Sequence, residues 1–317
     1  MDLEPRGPKP TGPAPDRSPR DVHIRMHLPG RGPMTMEDVQ SRLDGRGVAL
    51  DEVGVTGLRY PIVVLDRARG QQHTVAQIAM SVNLPHQFKG THMSRFLEVL
   101  NEHRGEVTMN TLPAILQSVQ DRLQAESARI EVAFPYFLER EAPVTAARAL
   151  MDYSCAFVGR RYGGRNDFML RVETPITTLC PCSKAISDYG AHNQRGYVTI
   201  DIKGQTDEKG EHRLIWIEEL IEIAERSASA PVYPLLKRPD ERHVTMQAFD
   251  NPVFVEDVVR NVAIELQAET RISWFRIHAR NDESIHNHSV FAQLEGSPST
   301  EEQRPTVDVS ATAAAIR

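Results

Sequence analysis

Apolar and polar residues alternate along most of this chain, and twice the alternation gives way to helical spacing. GVTGLRYPIVVLD (54–66) and HTVAQIAMSVNL (73–84) are β-branched runs of period two, which predicts two strands. SRFLEVLNEH (94–103) and LPAILQSVQDRLQAE (112–126) repeat apolar residues at three and four, which predicts two helices. ARIEVAFPYFLERE (128–141) and ARALMDYSCAFVGRR (147–161) return to strand periodicity. The second half repeats the order. NDFMLRVETPIT (166–177) and GYVTIDIKG (196–204) read as strands, LIWIEELIEIAERSAS (214–229) and NPVFVEDVVRNVAIELQAE (251–269) as helices. RISWFRIHARND (271–282) and HNHSVFAQLE (286–295) close it as strands.

Each half thus reads ββααββ, with no residue-level identity between them, so the repeat is one of architecture. Antiparallel sheets with helices on one face are the simplest packing of that order, an α+β class. The last helix is signalled by Asn251 as N-cap and Pro252 at the first helical position. Phe254, Val258, Val262 and Leu266 form its expected buried stripe, and Glu256 falls just beyond the edge of that stripe.

Residues 1–20, rich in Pro, Gly, Arg and Asp, and 296–317, with Ser, Thr, Glu and an Ala run, have no periodicity and read as disordered tails. The halves between them are bounded at 21–163 and 164–295. At 317 residues and 40% hydrophobic, the chain can bury one large core or two smaller ones. A net charge of −6 gives no basic groove for nucleic acid and no basic membrane surface. No apolar run is long enough to span a bilayer, and the N-terminus lacks the apolar segment of a secretory signal. Three cysteines make a poor disulfide framework, so a reducing cytoplasm is expected, with thiols kept for metal or chemistry.

Four stretches could carry that chemistry. TTLCPCSKAISDYGAHNQRGYVTI (177–200) places Cys180 and Cys182 around a proline, with His192 12 residues beyond Cys180. Thiolate and imidazole suit zinc and similar ions; the alternative is two loop thiols and a surface histidine. Cys155, in an apolar strand, reads as core. In NDESIHNHSVF, His286 and His288 share a face if the segment is a strand, with Glu283 just before them. That suits proton transfer or ligation, or else a polar edge strand. LKRPDERHVT offers Glu241 in what reads as a charged loop. LPHQFKGTHMSRF clusters Lys89, His92 and Arg95 about Gly90, a phosphate cradle or an ordinary basic strand-to-helix turn.

LCPCSKAISDYGAHNQRGYV, LPHQFKGTHMSRF, LLKRPDE, NPVFVEDVVR and ESIHNHSVFA occur in the order seen in type IB GTP cyclohydrolase I. The chain resembles that family from about residue 25 to 295, and the long motif around Cys180 is the most specific part. The resemblance implies a tunnelling fold (T-fold): two tandem ββααββ units with antiparallel sheets and helix pairs, assembling into barrels. It implies a homotetramer with active sites at subunit interfaces and a divalent metal, zinc or manganese, with iron also possible. The implied reaction turns GTP and water into 7,8-dihydroneopterin triphosphate and formate, the first step of tetrahydrofolate biosynthesis.

By the same resemblance Cys180, His192 and Glu241 hold the metal, and Cys180, His286, His288 and Glu283 are catalytic. Glu256 anchors the guanine edge, since one carboxylate can accept from both N1–H and the exocyclic amine. Lys184, Lys89, His92 and Arg95 meet the triphosphate, and Cys182 lies near the site without an assigned role. Two rivals stand beside this reading. One is a ferrous-iron, archaeal-type relative making a cyclic phosphate from the same GTP; the other is a non-catalytic protein with a structural metal.

Overall fold

The computed structural model describes residues 40, 42–103, 110–206 and 213–298. The predicted tail at 1–20 lies outside these residues, as does the predicted tail at 296–317 from residue 299 onward. β1 (Leu50–Asp66) and β2 (Gly70–Leu84) form a hairpin, closed where Asp66 Oδ1 accepts from the N–H groups of Ala68 and Arg69. The short helices α1 (Ser94–Glu102) and α2 (Leu112–Leu123) follow. β3 (Ser127–Glu141), β4 (Arg148–Tyr162) and β5 (Arg165–Leu179) then run back and forth in register. The β4–β5 turn is Gly163–Gly164, both with positive φ, which a two-residue hairpin loop of this kind requires.

The second half continues with α3 (Pro181–Ile186), β6 (Asn193–Gly204), α4 (Ile217–Arg226) and the two-residue β7 (Ala230–Pro231). After these come α5 (Arg238–Asp250), α6 (Val255–Ala268), β8 (Ile272–Asp282) and β9 (Ser289–Gly296). The nine strands among the described residues belong to one antiparallel sheet, ordered β1-β2-β3-β4-β5-β6-β8-β9, with β7 pairing β5.

This corrects the expected tunnelling fold of two tandem units with a helix pair each. The β4–β5 ladder runs unbroken from Ser154–Glu173 to Tyr162–Arg165, so the halves share one mostly antiparallel sheet. The second half carries four helices among its described residues, not a pair. The extra helix α5 escaped prediction because RPDERHVTMQAFD buries only Asp240 and Ala248, leaving no apolar stripe to read. Asn251 is the C-cap of α5, and α6 starts at Val255 after Phe254. Phe254 is 39% exposed and leaves the stripe, whereas Val258, Val262 and Leu266 are fully buried, each worth about 1.5–3 kcal/mol.

Helices α2, α4 and α6 pack onto the sheet over a single apolar core. Beneath α4 and α6 that core changes character along the strands. Its rows across β5, β6 and β8 run Val172–Ile200–Ile277, then Thr174–Val198–Ala279, then Ile176–Gly196–Asn281, and end at Thr178–Gln194. A Cβ at Gly196 would sit 2.5 Å from Asn281 Oδ1 and 3.0 Å from Ile176 Cγ1, so a larger residue there would displace these two buried side chains. The polar end of these rows is where β5 stops and β6 begins.

Candidate active site

Cys180 follows directly on β5 and His192 directly precedes β6, so the sheet brings the two together across a 12-residue excursion. The Cys180 N–H donates to the His192 carbonyl at 3.0 Å. Ser183 ties the loop shut, its hydroxyl donating to Cys180 O at 3.2 Å and accepting the His192 N–H at 3.2 Å. Cys180 is the N-cap of α3, with Sγ accepting from Ser183 N–H at 3.4 Å, and Pro181 opens the helix. His192 is half-buried, its Nδ1 2.9 Å from Gln194 Oε1 and 3.9 Å from Glu283 Oε2. That leaves Nε2 for a ligand. Cys182 is exposed. Cys155 is buried on β4 as expected, where burial pushes its thiol up and keeps it protonated.

Three further elements converge on this end of the sheet. Glu283 comes immediately after β8, and its side chain is only 11% exposed. His286 and His288 lie in the turn between β8 and β9, not on a strand, yet their rings stack at 5.1 Å between centroids. Both are exposed. The Val253 N–H donates to Leu179 O at 3.2 Å, which docks the start of α6 against the residue before Cys180. Glu256 is exposed in the first turn of that helix. Lys184, on α3, donates to the Phe249 carbonyl and lies 4.3 Å over the Phe249 ring.

Other predicted residues stand apart from this group. Glu241 is exposed in the first turn of α5, about 12 Å along the helix from Phe249. Its neighbour Asp240 is fully buried, accepting from Val144, Thr145 and Lys237, and it fixes where α5 begins. Lys89 and His92 lie between β2 and α1, and Arg95, in the first turn of α1, donates to the Arg122 carbonyl at 3.0 Å. Because the strands alternate in direction, the end of β2 and the end of β5 fall at opposite limits of the sheet. A strand of 15 residues separates them by about 50 Å within one chain. Gln194, Thr178 and Ser183 escaped the sequence reading; the only signal was their place next to His192 and Cys180.

A family model described as type I GTP cyclohydrolase folE2 matches residues 36–292. The chain belongs to this GTP cyclohydrolase family. Its relatives include proteins named GTP cyclohydrolase FolE2 from Syntrophotalea carbinolica, 52% identical over 270 residues, spanning 85% of this chain and 98% of that one. Those of Syntrophus aciditrophicus (52% over 260 residues, 82% and 99%) and Nitrosococcus oceani (49% over 260 residues, 82% and 95%) share the name. Among solved structures the likeness is distant: a uricase from Arthrobacter globiformis aligns over 83% of this chain and 98% of its own at 11% identity, TM-score 0.46.

The family resemblance implied a divalent metal, and the site's donors fit one in part. A cysteine and a histidine joined through their backbones, the imidazole braced at Nδ1, are residue types that suit zinc or a similar ion. Among the described residues, however, no three of His, Cys, Asp and Glu are grouped to hold a metal. Within one chain, then, Cys180 and His192 meet and Glu241 does not join them.

Proposed function

We propose that this GTP cyclohydrolase releases guanine C8 as formate and forms 7,8-dihydroneopterin triphosphate, at the end of the sheet where Cys180 and His192 meet. The observation that carries the reading is this junction of a cysteine, a histidine and a buried-edge carboxylate, Glu283, in a chain whose family match spans 36–292. Cys180 and His192 would hold a divalent ion, zinc or manganese, with Glu241 brought in as third ligand. When bound, that ion supplies Lewis acidity for hydrolytic attack at C8.

The chain's own residues account for the remaining tasks. Opening the imidazole ring, rearranging the ribose and reclosing a pterin ring each move protons between nitrogen and oxygen. The exposed, stacked His286 and His288 are placed to donate and accept them, beside Glu283. Glu256, on the first turn of α6, accepts from guanine N1–H and the exocyclic amine, and as a carboxylate it offers no donor to adenine. Lys184 meets the triphosphate after giving up the Phe249 carbonyl. Lys89, His92 and Arg95, at the far end of their own sheet, reach this site only from another subunit. That separation supports a homotetramer with active sites between subunits.

The test is product analysis. GTP incubated with the metal-loaded protein yields formate and a product with the mass of dihydroneopterin triphosphate. A cyclic phosphate product appearing only with ferrous iron overturns this reading in favour of the archaeal-type reaction, and no turnover with any of the three metals overturns both.

A further inference from the structure

His192 Nδ1 is 2.9 Å from Gln194 Oε1, and Gln194 Nε2 donates to Thr178 Oγ1 at 2.9 Å. Thr178 is fully buried and Gln194 is 7% exposed. The two residues are direct partners across β5 and β6, so the sheet register itself sets the reach of the amide. An amide that gives its N–H to Thr178 turns its oxygen to the imidazole, and that oxygen can only accept. The second group facing Nδ1, Glu283 Oε2 at 3.9 Å, is also an acceptor when ionised. Both neighbours therefore call for a proton on Nδ1, which puts the lone pair of the neutral ring on Nε2.

We infer that Gln194, hydrogen-bonded through its amide N–H to Thr178, is a positioning residue that holds His192 in the Nδ1–H tautomer, with Nε2 presented to a divalent cation. The inference rests on the reading of His192 as a metal ligand. It extends the site one layer into the core, to two uncharged side chains that touch neither substrate nor metal. A glutamine that merely filled space at this end of the core would contribute to folding but leave the tautomer of a half-buried neighbour unchanged. The role assigned here is instead chemical. It decides which nitrogen of His192 can act as a base toward a metal, and it does so before any metal arrives.

The deciding measurement is the nitrogen spectrum of the metal-free, histidine-labelled protein at about pH 8, where an ordinary imidazole is neutral. The His192 signals are assigned by their loss in His192→Asn. The expected pattern is a protonated Nδ1 and an unprotonated Nε2. Gln194→Leu and Thr178→Val shift the ring toward the Nε2–H form and weaken zinc binding, read by competition with a chelator, by about 10–100-fold. Gln194→Glu, which keeps an acceptor facing Nδ1, retains both the tautomer and the affinity. A protonated Nε2 in the unmodified protein overturns the inference, and so does a folded Gln194→Leu with unchanged tautomer and zinc affinity. Should Gln194→Leu fail to fold, the unmodified spectrum and Thr178→Val decide alone. If His192→Asn holds zinc as tightly as the unmodified protein, the ligand reading fails, while the tautomer still stands or falls on the spectrum.

Discussion

Asp240 and Thr145 are joined twice, the Thr145 N–H reaching Oδ1 at 2.8 Å and its hydroxyl reaching Oδ2 at 2.6 Å. With the N–H groups of Val144 and Lys237 also donating, one carboxylate ties the β3–β4 hairpin to the start of α5. Burial pushes this carboxyl up, but the hydrogen bonds from Thr145, Lys237 and Val144 outweigh it and hold it well below the usual range. A depressed carboxyl contributes stability that is present above its unfolded pKa and is lost as pH falls toward its folded one. Asp240→Asn should therefore lower Tm by several degrees at pH 7, with the gap from the parent protein narrowing below about pH 4. Thermal melts at the two pH values check this, and an unchanged gap contradicts it.

Metal removal should abolish GTP turnover, with zinc or manganese restoring it. Cys180→Ala and His192→Ala should each lose metal and activity together, because an emptied ligand position weakens the site itself. Elemental analysis beside turnover is the check. Full turnover after exhaustive chelation in metal-free buffer would sink the metal reading.

His286→Ala and His288→Ala should behave differently from those two. Both residues lie in the β8–β9 turn, a different segment from the one that carries Cys180 and His192. Each variant should keep its metal and lose on the order of 10²- to 10⁴-fold in kcat, the contribution of a general acid or base. A metal-free variant would move that histidine into the ligand set.

Glu256→Gln keeps the volume of the side chain but replaces one acceptor oxygen with a donor amide. Losing a charged hydrogen bond to guanine should cost roughly 1.5–3 kcal/mol in kcat/KM for GTP. Steady-state kinetics decide, and an unchanged kcat/KM removes Glu256 from the role of anchor.

Lys89→Ala and Cys180→Ala alter opposite ends of the sheet. If one site draws on both ends from different subunits, two inactive variants unfolded, mixed and refolded together should recover turnover, while each refolded alone should not. No recovery in a mixture shown to contain hybrid oligomers would mean that each chain's site is self-sufficient.

The strands were legible because their side chains alternate against one buried face, and Ile78, Met80, Ile130 and Val132 all fall where that alternation puts them. What the alternation cannot report is whether two similar halves make two sheets or one. That is settled by backbone pairing between Ser154–Tyr162 and Arg165–Glu173, to which side-chain pattern is blind. Helix α5 was unreadable for a different reason: its anchor is a single buried carboxylate rather than a stripe. At the site, Cys180, His192 and Glu283 stand out as reactive residue types, and their convergence follows from strand ends that could be read. Gln194 and Thr178 are ordinary in sequence and gain meaning only from being cross-strand partners.

The gradual change from aliphatic to polar rows along β5, β6 and β8 divides labour within one set of strands. The Val172–Ile200–Ile277 row and its apolar neighbours carry the burial that keeps the sheet folded, while the rows nearest Cys180 carry hydrogen bonds. The Thr178–Gln194 pair therefore shapes the histidine beside it through hydrogen bonds, while the aliphatic rows behind it supply the apolar burial. Such an arrangement separates what the fold demands from what the chemistry demands along the length of the same strands.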